Sequence, residues 1–410
     1  MASTLDFESV REAVTGTGAA FRCRTRLQPA GGPGDKIFPA TYEGGICAEE
    51  TRLIPGEGQV PCVLIDSVAS QANRMELALL EAQRKGEISL PVITVDFTQL
   101  DPPLPKPLKV TSLEAPHRIA DAILRDSLLD GKPFRHDSRY AEMLDQADSG
   151  NATALFELCP TALLFGVWDS TGPKGGLGTK IQRAVVSEIV GVNAIRGKRT
   201  SSRIDPLGIQ KVPGAVLYQS ADQSGWTLDK ESARQKGNKA VTIGKDGKPS
   251  NVNHGNVTPT QSDGSYTCAY ALLTTVISLP ALRRLRFPLN GGVSRQQDNA
   301  ARVVLTSMGL AAATLAFADG FDLRSRCALF PEEPLQWELL DAPGSSPRRF
   351  CLDRDGAIQL LQQSVDQAVG HGLPWLEQGL TLLPANNLAQ LVRLSQEYVA
   401  DKGSADQGDE

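Results

Sequence analysis

Residues 21–27, FRCRTRL, alternate without interruption between an arginine and a small or apolar side chain. That period of two predicts a strand with Arg22, Arg24 and Arg26 on one face and Phe21, Cys23, Thr25 and Leu27 on the other. VPCVLIDS (60–67) reads as a buried strand. It leads into SQANRMELALLEAQRKG (70–86), where Met75, Leu79 and Ala82 fall at helical spacing and Gly86 marks the stop. PVITVDF (91–97) is a further strand, DPPLPKP (101–107) a proline-rich break, and 114–130 and 138–149 are expected as helices. TALLFGVWDS (161–170) reads as a buried strand, and 181–195 as helix or strand. From Gly197 to about Thr267 the chain is polar and rich in Gly, Asn, Lys and Ser, which predicts a long insertion. An amphipathic helix is expected over 295–318, an alternating strand over 321–330, and helices near 355–369 and 386–400. Strands and helices interleave without barrel-like spacing, so split βαβ units carrying large insertions fit best.

With 410 residues, 41% hydrophobic and 22% charged, the chain is long enough for one elaborated domain or two around a sizeable core. No run of 18 apolar residues occurs, so no membrane-spanning helix is expected. The polar, acidic start MASTLDFESVREAV is unlike a secretory signal. Seven cysteines without a CxxC pair read as reduced thiols of a cytoplasmic protein. Four scattered histidines form none of the common metal-binding spacings, and no metal or cofactor is expected.

The whole chain carries a formal charge of −5, which hides a local asymmetry. Residues 171–250 hold fourteen Lys and Arg against six Asp and Glu, an excess of eight, so the remainder carries −13. Such a division suits a polyanion-binding groove on an acidic body; a solvated charged insertion is the alternative, above all for 228–250. The loop TGPKGGLGTK (171–180) fits neither phosphate-binding pattern. Five residues, not four, separate Gly172 from Gly178, and Thr179 stands between Gly178 and Lys180. What remains is a loop of small residues with two lysines, able to approach a phosphate closely.

Three stretches carry a family resemblance: GGPGDKIFPATYEGG (31–45), VLIDSVASQANRMELAL (63–79) and FGVWDSTGPKGGLGTKIQRAVVSEIVGVNAIRGKRTSSRIDPLGI (165–209). They resemble the backbone subunit of type I-G (formerly I-U) CRISPR Cascade, the Cas-seven class of the RAMP superfamily called Csb-one in this subtype. The resemblance spreads over most of residues 20–340. It implies an α+β fold, an RRM-like, ferredoxin-like palm over 18–400, with a finger-like insertion at about 67–150 and a thumb-like one at about 210–262; the residues DKGSADQGDE read by themselves as an acidic disordered tail at 401–410. It also implies the partners: CRISPR RNA, further copies of the chain in a helical filament, other Cascade subunits, and a target DNA strand met through the guide, in antiviral defence.

Resemblance and chemistry together give the expected RNA-binding residues. Arg22, Arg24 and Arg26 lie on the palm, unless they face solvent or a neighbouring subunit. Asn73 and Arg74 contact RNA from the start of the first helix, unless they cap or pair locally. Lys174, Gly175, Gly176, Lys180 and Arg183 form a cradle, and Arg196, Lys198, Arg199 and Arg203 track the next phosphates. The aromatic pair usual on RRM strands is not visible, so backbone contacts are expected to dominate over base stacking. No catalytic residue is expected. The competing enzymatic reading is metal-dependent cleavage of target RNA through Asp35, in the loop after the first strand. A third reading is an interaction protein whose basic insertion binds an acidic partner.

Overall fold

The computed structural model describes residues 3–136, 140–209, 214–222, 225–255 and 257–405. They fall into two units: a larger one of residues up to 103, 107–197 and 264–389, and a smaller one of 104–106, 198–263 and the residues from 390 onward.

The larger unit is framed by β1 (Ala20–Pro29), β2 (Glu49–Ile54), β3 (Gly58–Asp66), α1 (Val68–Arg84), β4 (Val185–Val192), β5 (Tyr270–Ser278), α2 (Arg295–Ala318), β6 (Trp337–Leu340) and α3 (Arg354–Gly370). Across the main sheet the order is β6-β1-β5-β4-β3-β2, antiparallel at every step. In the chain α1 lies between β1 and β4, and α2 between β5 and β6. The alternation in β1 decides which face is covered. Phe21, Cys23 and Leu27 are buried with Leu273 and Ile277 of β5 and Ile189 of β4, while the arginines occupy the opposite face. α1 packs on β4 and α2, and α2 packs on α3.

Helix α2 has its predicted bounds but not its predicted character. It is long and apolar enough to cross a membrane by composition, yet 89% of its most apolar window is buried inside the protein. It is hydrophobic nearly all round because sheet and helices surround it, so it is a core helix rather than an amphipathic surface one.

Four other expectations are corrected. Residues 161–170 are not one strand: Thr161–Phe165 is helical and only Val167–Trp168 is extended. A short continuous apolar run does not distinguish a buried helix from a strand; here Pro160 leads into the helix and Gly166, at φ +88°, ends it. The helix expected over 114–130 is broken by Pro116 and by Arg118 at φ +54°. It becomes a short turn, Ala122–Arg125, and the strand Ser127–Leu129. Of 138–149 only Ala141–Asp145 is helical, and residues 137–139 lie outside the described residues. The stretch 321–330 is a hairpin, Phe321–Arg324 with Cys327–Pro331, turning at Arg326 with φ +58°. Its alternation passes through the turn unbroken, which is why one strand was expected: Phe321, Leu323, Cys327 and Leu329 are all buried.

The predicted insertion begins and ends in a long ribbon, Ile195–Arg203 paired with Val257–Thr267, and within the smaller unit forms two short antiparallel pairs, Tyr218–Gln219 with Trp226–Thr227 and Gln235–Lys236 with Lys239–Ala240. Residues 210–213, 223–224 and 256, inside the stretch read as thumb-like, lie outside the described residues. The last helix, Asn386–Ala405, runs into the stretch read as an acidic tail, of which 406–410 also lie outside.

A second, five-stranded sheet of the larger unit joins Ile93–Asp96 in parallel to Leu380–Pro384. Burial opposes the charge on Asp96, but the Lys109 ammonium at 2.8 Å and the N–H and hydroxyl of Thr98 hold its carboxyl down at about 2. A depressed folded pKa gives stability that is present above the ordinary carboxylate value and lost as pH falls through roughly 4 toward 2. The Lys109→Met variant should therefore be less stable than wild type in urea denaturation near neutrality, and the difference should shrink as pH falls through roughly 4 toward 2.

Candidate nucleic-acid groove

The start of α1, the turn at 114–118, residues 163–170, residues 180–183 and residues 281–285 surround a groove of about 1140 Å³ within the larger unit. Its charged lining is Arg118, Lys180, Arg183 and Arg284 against the single carboxylate of Glu114, an excess of three positive charges, with His117 and Asn73 beside them. Glu114 is engaged by Arg84 at 3.4 Å and by the Thr111 hydroxyl at 2.8 Å. Arg183, Arg284 and Asn73 are exposed, and no hydrogen-bond or ion-pair partner for their side chains occurs among the described residues. The Lys180 ammonium lies 5.0 Å from the centre of the Trp168 ring.

The walls are braced by buried contacts. Arg118 is an exception among non-glycine residues in its positive φ, and it is held by two bonds to Glu76, at 2.6 and 2.8 Å, and one to the Gly166 carbonyl at 3.2 Å. Burial pushes the Glu76 carboxyl up, and Arg118 works against that shift. Gly166 is required where it stands: a Cβ there would lie 3.1 Å from the Arg183 nitrogen, on top of the strain of φ +88°.

Three sequence-predicted residues, Asn73, Lys180 and Arg183, are thus brought together, while Lys174 is not among the groove-lining residues. Its ammonium donates to the Asp145 carbonyl at 2.6 Å. The glycine loop itself turns inward. The N–H groups of Gly175, Leu177 and Gly178 donate to Gly172, Lys174 and Gly175 carbonyls within the loop. A Cβ on Gly178 would fall 1.9 Å from the Asp169 carbonyl oxygen, and one on Gly172 would fall 2.5 Å from its carboxylate. Asp169 in turn pairs with buried Arg135 at 2.8 Å. These glycines let the loop wrap a buried ion pair; Gly176 alone, with nothing within 4 Å of a Cβ and an ordinary backbone, is unconstrained.

On the sheet the arginine face exists as expected, though largely neutralised. Arg22 is paired with Glu338, its register partner on β6, at 2.7 Å. Arg26 stacks over Tyr270 at 4.0 Å and approaches Glu57 to 3.8 Å. Arg24 is exposed, with no such partner among the described residues. Arg74 takes the local alternative, bonding the fully buried Asp66 at 3.0 Å and the Leu323 carbonyl at 2.5 Å. Arg196 pairs with Glu49 at 2.7 Å in the larger unit. In the smaller unit Lys198 pairs with Asp263 at 2.6 Å, while Arg199 and Arg203 are exposed on the ribbon. The Asp35 carboxylate accepts from the Lys36 N–H at 2.8 Å. No three His, Cys, Asp or Glu side chains among the described residues come together to hold a metal.

Sequence reasoning missed Trp168, His117, Arg118 and Arg284. Trp168 sat in a stretch read as wholly buried, and Arg284 lies far along the chain from Arg183, so no spacing links them.

Residues 21–196 match the CRISPR-associated protein GSU0053 family (Cas_GSU0053). That stretch contains all but the first residue of β1, β2 to β4, and the groove residues named above other than those at 281–285. No curated protein matches the chain. A solved chain of a "CRISPR RNA-guided surveillance complex, pre-nicking" is 11% identical, with 92% of this chain and 100% of that one covered at a TM-score of 0.34.

Two outcomes follow. Gly178→Ala should lower the melting temperature by several degrees, since no ordinary adjustment clears a 1.9 Å approach, whereas Gly176→Ala should melt as wild type. Arg74→Ala, which strips a buried carboxylate of one of its charged donors, should cost about 1–3 kcal/mol in urea denaturation.

Proposed function

We propose that this protein is the CRISPR RNA-binding backbone subunit of a Cascade surveillance complex, of type I-G, working in the cytoplasm. In this reading copies of the chain polymerise side by side along the guide's spacer and present it for pairing with target DNA. The observation that carries it is the cationic groove, in which Asn73, Lys180 and Arg183 meet Arg284 around an open channel. Phosphates supply most of the affinity of nucleic-acid binding and carry no sequence information. A subunit that must accept any spacer needs such a surface and little base readout.

The match of residues 21–196 to a CRISPR-associated family supports the same reading. So does the strand order β6-β1-β5-β4 with α1 and α2 in the two crossovers, which has the connectivity of a split βαβ, ferredoxin-like palm. On this palm the stretch 67–150 serves as finger and 210–262 as thumb. Arg24 on the sheet and Arg199 and Arg203 on the ribbon are further phosphate contacts, and Arg74 acts by holding α1. The subunit holds RNA without cutting it, so Asp35→Ala leaves binding intact.

Binding of fluorescent single-stranded RNA, measured by anisotropy against salt, tests this. Arg183→Ala should weaken binding about equally for a homopolymer and a mixed spacer sequence. It should also flatten the slope of log K against log salt by about 0.7, the value of one single-strand phosphate contact. Lys174→Ala, tied to a carbonyl outside the groove, should change neither. Complexes should form discrete ladders that lengthen with the RNA. A flat salt response or a tenfold preference for one base would overturn the reading.

A further inference from the structure

Trp168 is 59% exposed, although it is bracketed by buried residues, Val167 and Asp169. Its position is fixed on both sides. Val167 and Trp168 pair with Ile181 and Lys180, the Asp169 N–H donates to the Thr179 carbonyl at 2.8 Å, and the Asp169 carboxylate is clamped by buried Arg135. The fold therefore fixes the backbone that carries a large aromatic ring at the surface, where its exposure gives up the stabilisation that burial would bring. The ring lines the cationic groove together with Asn73, Arg183 and Arg284, with the Lys180 ammonium 5.0 Å from its centre. An aromatic platform set among cations is the arrangement by which single strands are bound without sequence preference. The cations meet the backbone and the ring meets a base, since every base has a π-face.

We infer that Trp168 is a stacking platform for one base of a single-stranded RNA, with Lys180 placed to meet the adjoining phosphate. This rests on the reading of the groove as the RNA track and revises one expectation from the sequence, that base stacking contributes little. A rigid ring loses little conformational freedom on binding, so the stack should register the strand: one nucleotide per subunit is held by its base and its neighbours by their phosphates.

The test uses the full chain and single-stranded RNA carrying one 2-aminopurine or one abasic site at successive positions. With wild type, 2-aminopurine fluorescence should be quenched most strongly at a recurring position, and an abasic site there should weaken binding. Trp168→Ala should abolish that quenching, weaken intact RNA about 5- to 100-fold, and bind abasic and intact RNA alike. Trp168→Phe should keep most of the affinity, and Trp168→Leu, which preserves apolar bulk without the ring, should behave as the alanine variant. Thermal melts of all three verify folding. If Trp168→Ala binds as wild type while Arg183→Ala is weakened, the groove stands and the platform falls. If neither variant differs from wild type, the groove reading falls and takes the platform with it. An equal loss for intact and abasic RNA also overturns the platform.

Discussion

Where β3 runs into α1, the carboxylate of Asp66 is fully buried and accepts from four side chains: Ser70 at 2.9 Å, Gln71 at 2.7 Å, Arg74 at 3.0 Å and Arg324 at 2.7 Å. A buried charge is tolerated only when paired and hydrogen-bonded, and here the donors come from two separate elements. Ser70, Gln71 and Arg74 belong to the first turns of α1, and Arg324 ends the strand Phe321–Arg324. Arg324 also donates to the Ile65 carbonyl, so the hairpin, the sheet and the helix are locked about one point. That lock fixes the rotation of α1. With Gln71 and Arg74 turned toward Asp66, Ala69, Ala72 and Asn73 are turned toward the groove.

The distribution of charge follows a similar logic. Arginines on the sheet are answered by carboxylates: Glu338 on the adjacent strand for Arg22, Glu57 in the turn between β2 and β3 for Arg26, and Glu188 on β4 for Arg52. Exposed pairs of this kind contribute little stability, but they remove field from the sheet face. Around the groove the corresponding acids are already engaged with Arg84 and Arg118, so Lys180, Arg183 and Arg284 keep their charge outward. A chain with a net charge of −5 thereby carries one concentrated positive region among the described residues of its larger unit.

Much of the fold was legible because its signals are local. The alternation around Arg22, Arg24 and Arg26 and the bounds of α2 need only the side-chain period. The strand expected at 161–170 failed because Ala162–Phe165 has no polar position to reveal a period. The site was legible in part for a similar reason. Asn73, Lys180 and Arg183 stood out by charge and motif, but their company is a product of the tertiary fold. Arg118 and Arg284 reach the groove from separate turns, and nothing in sequence separates Arg183, which is unpaired among the described residues, from Arg74, which is bound to a buried acid. The glycine loop misled most directly: small residues beside lysines suggest a close approach to an anion, yet the close approach is to Asp169.

The ribbon has an entropic consequence. Val192, the last residue of β4, faces Tyr270, the first of β5, in register. Everything from 193 to 269 therefore departs and returns across one strand pair, as an oversized hairpin loop. Closing such a loop depends only logarithmically on its length, so each doubling costs about 0.6 kcal/mol. A longer or shorter stretch between residues 198 and 263 would therefore change the cost of closing β4 against β5 only slightly.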